Sequence, residues 1–433
     1  MRIILALLFF PTIIFGQKNV STNLEKYMQA QVEVNNFSGT VLVTKNGSVL
    51  LKKAYGLADY EWNIKNTIDT KFQLASVTKQ FTAAAILLLV EKGKLSLDDK
   101  LSEFFPDYPK ADSVTIHMLL SHSSGLALGF KEIATSTISI DSAYSEIKKI
   151  PYEFSPGTKS AYSNIGYYLL GKIIEKVSGE KYAVFLSKNI FEKVGMKNTG
   201  VSNNDSIVLK KAQIYCPTEN GFVHNPYINW AVNKGHDGVY STVEDLALWD
   251  NALYGTTILS AEMKKRMFTS YNDQNWGYGF IINPFYNHGH QLIAHDGGFF
   301  GTMSSFNRFT DDHLFVTVLS NNESPSYIIA YGLSAIAFQK DVEIPYKHIQ
   351  TKIDTVLYDS YVGKYGDIEI LKVDGKLYFN SLEKELLPES STKFFRADNN
   401  DRTIEFIQDK SGSYASLILT KGGVKEVVLK NNP

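Results

Sequence analysis

The stretch Phe72-Gln-Leu-Ala-Ser76-Val-Thr-Lys79 leads into a run of small and apolar residues from Phe81 to Val90, followed by Glu91-Lys92-Gly93. That pattern predicts a buried helix stopped by a glycine C-cap. Ser76 falls where the helix begins. The first backbone N–H groups of a helix lack intrahelical partners, and the helix dipole is positive there. A serine at that point can offer its Oγ as a nucleophile and its own N–H as an oxyanion donor. Lys79, three residues on, shares its helix face. In an apolar setting a lysine loses pKa and can act as base toward a serine hydroxyl.

Ser-x-x-Lys by itself is cheap. It recurs at Ser145–Lys148, Ser178–Lys181, Ser381–Lys384 and Ser390–Lys393, all in polar, lysine-rich surroundings that read as solvated surface. The apolar lead-in and the long apolar run single out Ser76.

The chain has 433 residues, enough for one large domain and a smaller one. Lys and Arg number 44 against 45 Asp and Glu, so no basic excess points to nucleic acid. Met1-Arg2, an apolar run broken by Pro11, and Gly16 describe a signal peptide over residues 1–16, hence an exported, periplasmic or secreted protein. The run is short for a membrane span, so no stable membrane insertion is expected after cleavage. An uncleaved tether is the alternative reading. Cys216 is the only cysteine, so stability must come from packing without an internal disulfide.

A helix is expected over 21–35 with Ser21 or Thr22 at its cap, then a hairpin around Asn46-Gly47. Helices follow at 164–177 and 180–193, with an irregular excursion at 197–235. Ser241-Thr-Val-Glu244 reads as a capping box for a helix to Leu253. Strands are expected at Gly277–Ile282, Gln291–His295, Thr302–Phe309 and His313–Leu319, then a helix at 326–339. The fold class is α+β: an antiparallel sheet flanked by helices, with an all-helical subdomain, over residues 21–340. Residues 341–356 read as a linker. Residues 357–433 read as a small all-β domain with a hairpin turn at Asp374-Gly375.

Two further segments carry chemistry. Tyr162-Ser-Asn164 lies between the Pro156-Gly157 turn and a tightly written helix. A phenol beside a lysine loses its proton more easily and can relay protons for a serine. Asn164 can hydrogen-bond both Lys79 and a substrate amide. His295-Asp296-Gly297-Gly298 ends a predicted strand, and paired glycines let an extended substrate approach a strand edge. The N–H of Gly298 is a candidate second oxyanion donor. Without their context, Tyr162 and His295 would read as a loop aromatic and a packed histidine.

Ser76-Val-Thr-Lys79, Tyr162-Ser-Asn164 and His295-Asp-Gly297 stand in the order of the serine β-lactamase-like superfamily, of the class C and penicillin-binding-protein type, and over residues 25–340 the chain resembles it. Met118–Leu126, Pro156–Gly179 and Gly238–Leu246 also resemble that family, and the tail from Tyr361 loosely resembles small β modules of exported homologues. The resemblance implies a serine hydrolase working through an acyl-enzyme on Ser76. Lys79 and Tyr162 share the acid/base work, and the division between them stays open. Asn164 places the substrate, and no metal or cofactor is implied. The expected partner is a small-molecule or peptide substrate: an ester, a D-amino-acid peptide or amide, or a cell-wall fragment. One departure stands out. The third motif usually begins Lys followed by Thr or Ser, and here His295 and Asp296 take those places. Asp296 is then expected to reverse the local charge and weaken activity on β-lactams. A non-catalytic cell-wall-binding module is the competing reading. Zinc hydrolysis through His288, His290 and His295 fails for want of a carboxylate–histidine pair at ligand spacing.

Overall fold

Asn46 and Gly47 adopt φ of 51° and 76°. Both values are positive, as a type I′ turn requires, and Asn-Gly reaches them at little cost. The turn joins Gly39–Lys45 to Ser48–Tyr55. In this computed structural model, which describes residues 12–397 and 399–431, the hairpin forms one edge of a six-stranded antiparallel sheet. From that edge the order is Ser48–Tyr55, Gly39–Lys45, Leu314–Ser320, Thr302–Phe309, Leu292–Phe299 and Ile281–Ile282. Gly39 lies opposite Ser320 and Lys45 opposite Leu314, so the first strand closes on the last.

Every residue of Leu314–Ser320 is buried, which places this central strand between two covered faces. The Lys79–Glu91 helix is buried from Lys79 through Leu89, with no polar face toward water. The Asn164–Ser178 helix begins where the Ser163 hydroxyl accepts the Gly166 N–H at 3.0 Å, and it ends at Gly179 with φ 72°. A Cβ on Gly171 of that helix would lie 3.0 Å from the Cα of Gly235. The Thr82 hydroxyl donates to the Gly235 carbonyl at 2.6 Å. These contacts bind the 235–238 segment to both helices.

Several expectations shift. The first helix runs Thr12–Asn35, so Ser21 and Thr22 lie within it rather than at its cap. Residues 1–11 of the expected signal peptide lie outside the described residues. Among the described residues no helix is long and apolar enough to cross a membrane. The cap at 241–244 moves by one residue: Thr242 accepts the Asp245 N–H at 3.2 Å, while Glu244 binds Lys52 at 2.7 Å. The excursion holds a hairpin, Tyr215–Thr218 with Gly221–His224, carrying Cys216. The strand expected from Gly277 is only Ile281–Ile282.

The described residues divide into two compact units, residues 37–330 and residues 12–36 with 331–397 and 399–431. In the second unit, eight strands from Gly363–Tyr365 to Val424–Leu429 follow one another in an antiparallel meander. The ends join: the Gly366 N–H donates to Leu429 O at 3.2 Å and the Asn431 N–H to Lys364 O at 2.7 Å. The sheet is therefore barrel-like. Its interior is filled by aromatics, with Tyr361 stacked on Phe406 at 4.2 Å. The Thr12–Asn35 helix belongs here, with the Tyr27 hydroxyl donating to Gly422 O at 3.1 Å. The 341–356 segment, read as a linker, is tied to this sheet: the Glu343 N–H donates to Gly423 O and the Thr351 N–H to Pro388 O, both at 2.8 Å.

Candidate active site

Ser76 lies in a single 3₁₀ turn, Ala75–Thr78, that runs directly into the Lys79–Glu91 helix. Ala75 before it has φ 45°, a left-handed conformation that a residue with a Cβ rarely adopts. The surroundings enforce it. The Leu74 N–H donates to Val239 O at 2.9 Å, and Leu74 O accepts the Ser304 hydroxyl at 2.6 Å. Thr302 donates to Gln73 O at 3.1 Å. Two strands thus grip the backbone ahead of Ser76 and turn its side chain toward the helix start.

Lys79 is fully buried, and its Nζ has three partners. Ser76 Oγ lies at 3.0 Å, Asn164 Oδ1 at 2.8 Å and His236 O at 2.9 Å. Burial pushes its pKa down to about 7, partly opposed by the negative charge of Asp237. The Asn164 and His236 oxygens can only accept, so they hold two N–H bonds of Lys79 in either protonation state. Once the amine is neutral, its lone pair is left for Ser76 Oγ–H.

Tyr162 sits across the ammonium, its ring centroid 4.8 Å from Lys79 Nζ, and its hydroxyl is hydrogen-bonded to Ser76. Its ring packs against that of His122, tilted by 30° at 4.5 Å, and contacts Trp276 at 5.1 Å. Burial drives the phenol well above its ordinary pKa, and the Ser76 bond only partly offsets this. The expectation of an easily deprotonated Tyr162 is therefore corrected: burial holds it as the phenol.

His295 is buried. Its Nδ1 lies 2.6 Å from Asp296 O, a bond in which nitrogen donates, and its Nε2 has no hydrogen-bond partner among the described residues. Burial, then the Lys79 charge, depress its pKa to about 3, so the ring stays neutral. A Cβ on Gly297 would fall 3.0 Å from Ser76 N and 2.3 Å from Leu74 O, so the Gly297 face of the strand is the one against Ser76. Side chains alternate along a strand, which puts Asp296 on the other face. There its carboxylate accepts from Tyr286 OH at 2.8 Å and Ser305 Oγ at 2.6 Å. Asp296 is thus no part of the cleft, and the charge reversal expected from it does not arise. On the outer side of Leu292–Phe299, Ile281–Ile282 reaches only Ala294 and Ile293, so among the described residues no strand pairs with Gly297 and Gly298 along that edge.

A family model described as Beta-lactamase matches residues 24–335. The chain belongs to the Beta-lactamase family. Penicillin-binding protein 4* of Bacillus subtilis (strain 168) is 29% identical over 95% of this chain and 99% of that protein. The teichoic acid D-alanine hydrolase of Staphylococcus aureus is 25% identical over 69% of this chain and 74% of its own. The octameric penicillin-binding protein homologue from Pyrococcus abyssi superposes with a TM-score of 0.68 at 27% identity, covering 94% of this chain and 99% of that one. As a Beta-lactamase family member of this kind, the chain is a serine hydrolase.

Sequence reasoning missed His122, His236, Asp237 and Trp276. Buried Asp237 accepts the Gly238 N–H at 2.6 Å, and burial raises its pKa to about 6. The Gly235-His-Asp-Gly238 run was a visible signal, since glycines bracketing two polar residues mark backbone held close to something. Among the described residues, no group of three His, Cys, Asp or Glu side chains is placed to hold a metal ion.

Proposed function

We propose that this protein hydrolyses esters or amides of D-amino acids through an acyl-enzyme on Ser76, with Lys79 as the base of acylation. The observation that carries the reading is the bonding of Lys79 Nζ. Two carbonyl oxygens fix its donors, which aims the remaining valence at Ser76 Oγ, 3.0 Å away. A pKa near 7 suits a base at neutral pH.

The Ser76 O–H bond breaks as its proton passes to Lys79 and the Oγ–carbonyl bond forms. The oxyanion is held by the N–H groups of Ser76 and Gly298. As the bond to the leaving group breaks, Tyr162, still protonated, supplies that group's proton and is left as a phenolate beside the Lys79 ammonium. When water attacks the acyl-enzyme, the phenolate takes a proton from it and Lys79 returns its proton to Ser76 Oγ. That attack cleaves the ester on Ser76, and Asn164 orients the acyl group. The D-amino-acid class rests on relatives such as the D-alanine hydrolase. Neutral His295, in the place of a lysine, offers no fixed cation for a substrate carboxylate, so β-lactams should be poor substrates. The N-terminal sequence supports action outside the cytoplasm. Treatment with a fluorophosphonate and mapping of the adduct by mass spectrometry tests the reading. Labelling at Ser76, absent in Ser76→Ala, is expected; labelling of another serine would overturn it.

A further inference from the structure

The backbone from His236 to Gly238 has a lysine held against it at each end. At one end His236 O accepts from Lys79 Nζ at 2.9 Å. At the other, Gly238 O accepts the Ser202 N–H at 2.8 Å, and Ser202 Oγ accepts from Lys211 Nζ at 2.9 Å. Buried Asp237 lies between the two attachments. Lys211 takes no part in the chemistry at Ser76, yet its ammonium is set in a prepared place. The Ser202 hydroxyl gives its own hydrogen to Gln73 Oε1 at 2.8 Å, which leaves its lone pairs for Lys211. The Trp230 and Tyr240 ring centroids lie 5.2 Å and 5.7 Å from Lys211 Nζ. Aromatic faces favour a cation over a neutral amine.

The charges around Asp237 do not balance. Among the described residues, its carboxylate opposes the effect of burial at both Lys79 and Lys211. Burial brings Lys211 down to about 8, so it still carries its proton at pH 7. The other titratable groups facing these three are uncharged. Burial keeps His122, His236 and His295 neutral beside Lys79. It also keeps Tyr162, Tyr167, Tyr182 and Tyr240 as phenols. Two ammonium groups sharing one buried carboxylate leave an excess positive charge, which is costly at low dielectric. The rings and Ser202 fix that charge on Lys211. The oxygens around Lys79 accept from the amine in either protonation state, so Lys79 is the one free to lose its proton.

We infer that Lys211 is a positioning residue for the Ser76 reaction: its fixed ammonium engages Asp237 from the side away from Lys79, so the carboxylate does not hold Lys79 in its charged form. The inference rests on Lys79 being the base of acylation.

The rate of fluorophosphonate labelling at Ser76 tests it on the full chain from pH 5 to 9, without a choice of substrate. Lys211→Gln removes the charge and keeps a donor for Ser202. The midpoint of its rate profile should move up by about 1 unit, with labelling about 10-fold slower at the acid end and recovering as the pH rises. Lys211→Met loses the donor as well and should move the midpoint equally. Lys211→Arg keeps the charge and should return the midpoint to that of the wild type. Adding Asp237→Asn to Lys211→Gln should bring the midpoint back down. A structural role alone would slow labelling at every pH and leave the midpoint in place, which overturns the inference. A wild-type profile with no limb near pH 7 removes Lys79 as the base, and this inference with it. A wild-type limb that stays fixed in a folded Lys211→Gln or Lys211→Met protein overturns the role of Lys211 alone.

Discussion

Lys79 Nζ stands 3.0 Å from Ser76 Oγ and 2.8 Å from Asn164 Oδ1, in a site where the lysine has no exposure to water. A base held this way must be neutral to work. With a pKa near 7, kcat/KM for a neutral ester should rise with pH through about 7 and level off above it. Lys79→Arg keeps the charge and cannot give up its proton at these pH values, so a loss of roughly 10²–10⁴-fold is expected. A flat profile from pH 5 to 9 would remove Lys79 from the role of base.

Asp237 lies beside the carbonyl that holds Lys79, and its carboxylate raises the lysine's pKa against the effect of burial. Asp237→Asn removes that charge. Lys79 then gives up its proton more easily, and the acid limb of the kcat/KM profile should move to lower pH. The shift is expected only where Asp237 is ionised, above its own pKa of about 6. A limb that stays in place, or moves to higher pH, contradicts this coupling.

Asp296→Thr should leave the ranking of a cephalosporin, a neutral ester and a D-amino-acid amide unchanged, because Asp296 faces away from Ser76. The cost should appear in stability. Two hydroxyls, from Tyr286 and Ser305, lose their carboxylate acceptor, for about 1–3 kcal/mol. Denaturant unfolding of the variant measures this, and a re-ordered substrate panel would return Asp296 to the cleft.

Gly297 is where a methyl group would do most harm. Its Cβ would meet Leu74 O at 2.3 Å, Ser304 Oγ at 2.5 Å and Ser76 N at 3.0 Å. Two of these atoms are backbone, so the strand and the Ser76 turn must separate. A displacement of about 1 Å in a catalytic constellation costs on the order of 10²-fold in rate. Gly297→Ala should lose that much kcat/KM and label more slowly at Ser76. Wild-type labelling rates in this variant would mean that the turn yields without consequence.

What the sequence made legible was local. Ser76, Lys79, Tyr162 and Asn164 sit on helix starts whose apolar runs and caps are written in adjacent residues. The Asn46-Gly47 and Asp374-Gly375 turns are equally local, and all four residues have positive φ. What was illegible depended on partners far along the chain. Strand alternation separates Asp296 from Gly297, but only the packing of Leu74 and Ser76 shows which face turns inward. His236 is reached through a carbonyl oxygen, which any residue could supply. Thr242–Asp245 and Ser241–Glu244 fit the same cap pattern, and the Lys52 partner of Glu244 is distant in sequence. Gly363–Tyr365 and Glu385–Pro388 are too short to show alternation, so the closure of the barrel was hidden with them.

The final prediction concerns where the chain can be cut. From the sequence, an end near Lys347 should leave an active hydrolase. The structure groups the Thr12–Asn35 helix with the barrel, and Leu24, Tyr27 and Met28 on that helix have no exposure. Asn35 Nδ2 donates to Asp401 Oδ1 at 3.1 Å, a second tie within the same unit. Cutting at Lys347 while keeping the helix strips these side chains of partners, and each exposed large apolar side chain forfeits roughly 1.5–3 kcal/mol. That protein should aggregate. A chain from Phe37 to Lys340 lacks the orphaned helix and keeps every residue around Ser76. Its ester turnover per labelled Ser76 should stay within about 3-fold of the full chain, since Ser76, Lys79, Tyr162 and Asn164 all belong to the 37–330 unit. Soluble behaviour of the Lys347 truncation would show that the helix does not depend on the barrel. Loss of Ser76 labelling in a folded Phe37–Lys340 chain would show that the removed residues complete the site.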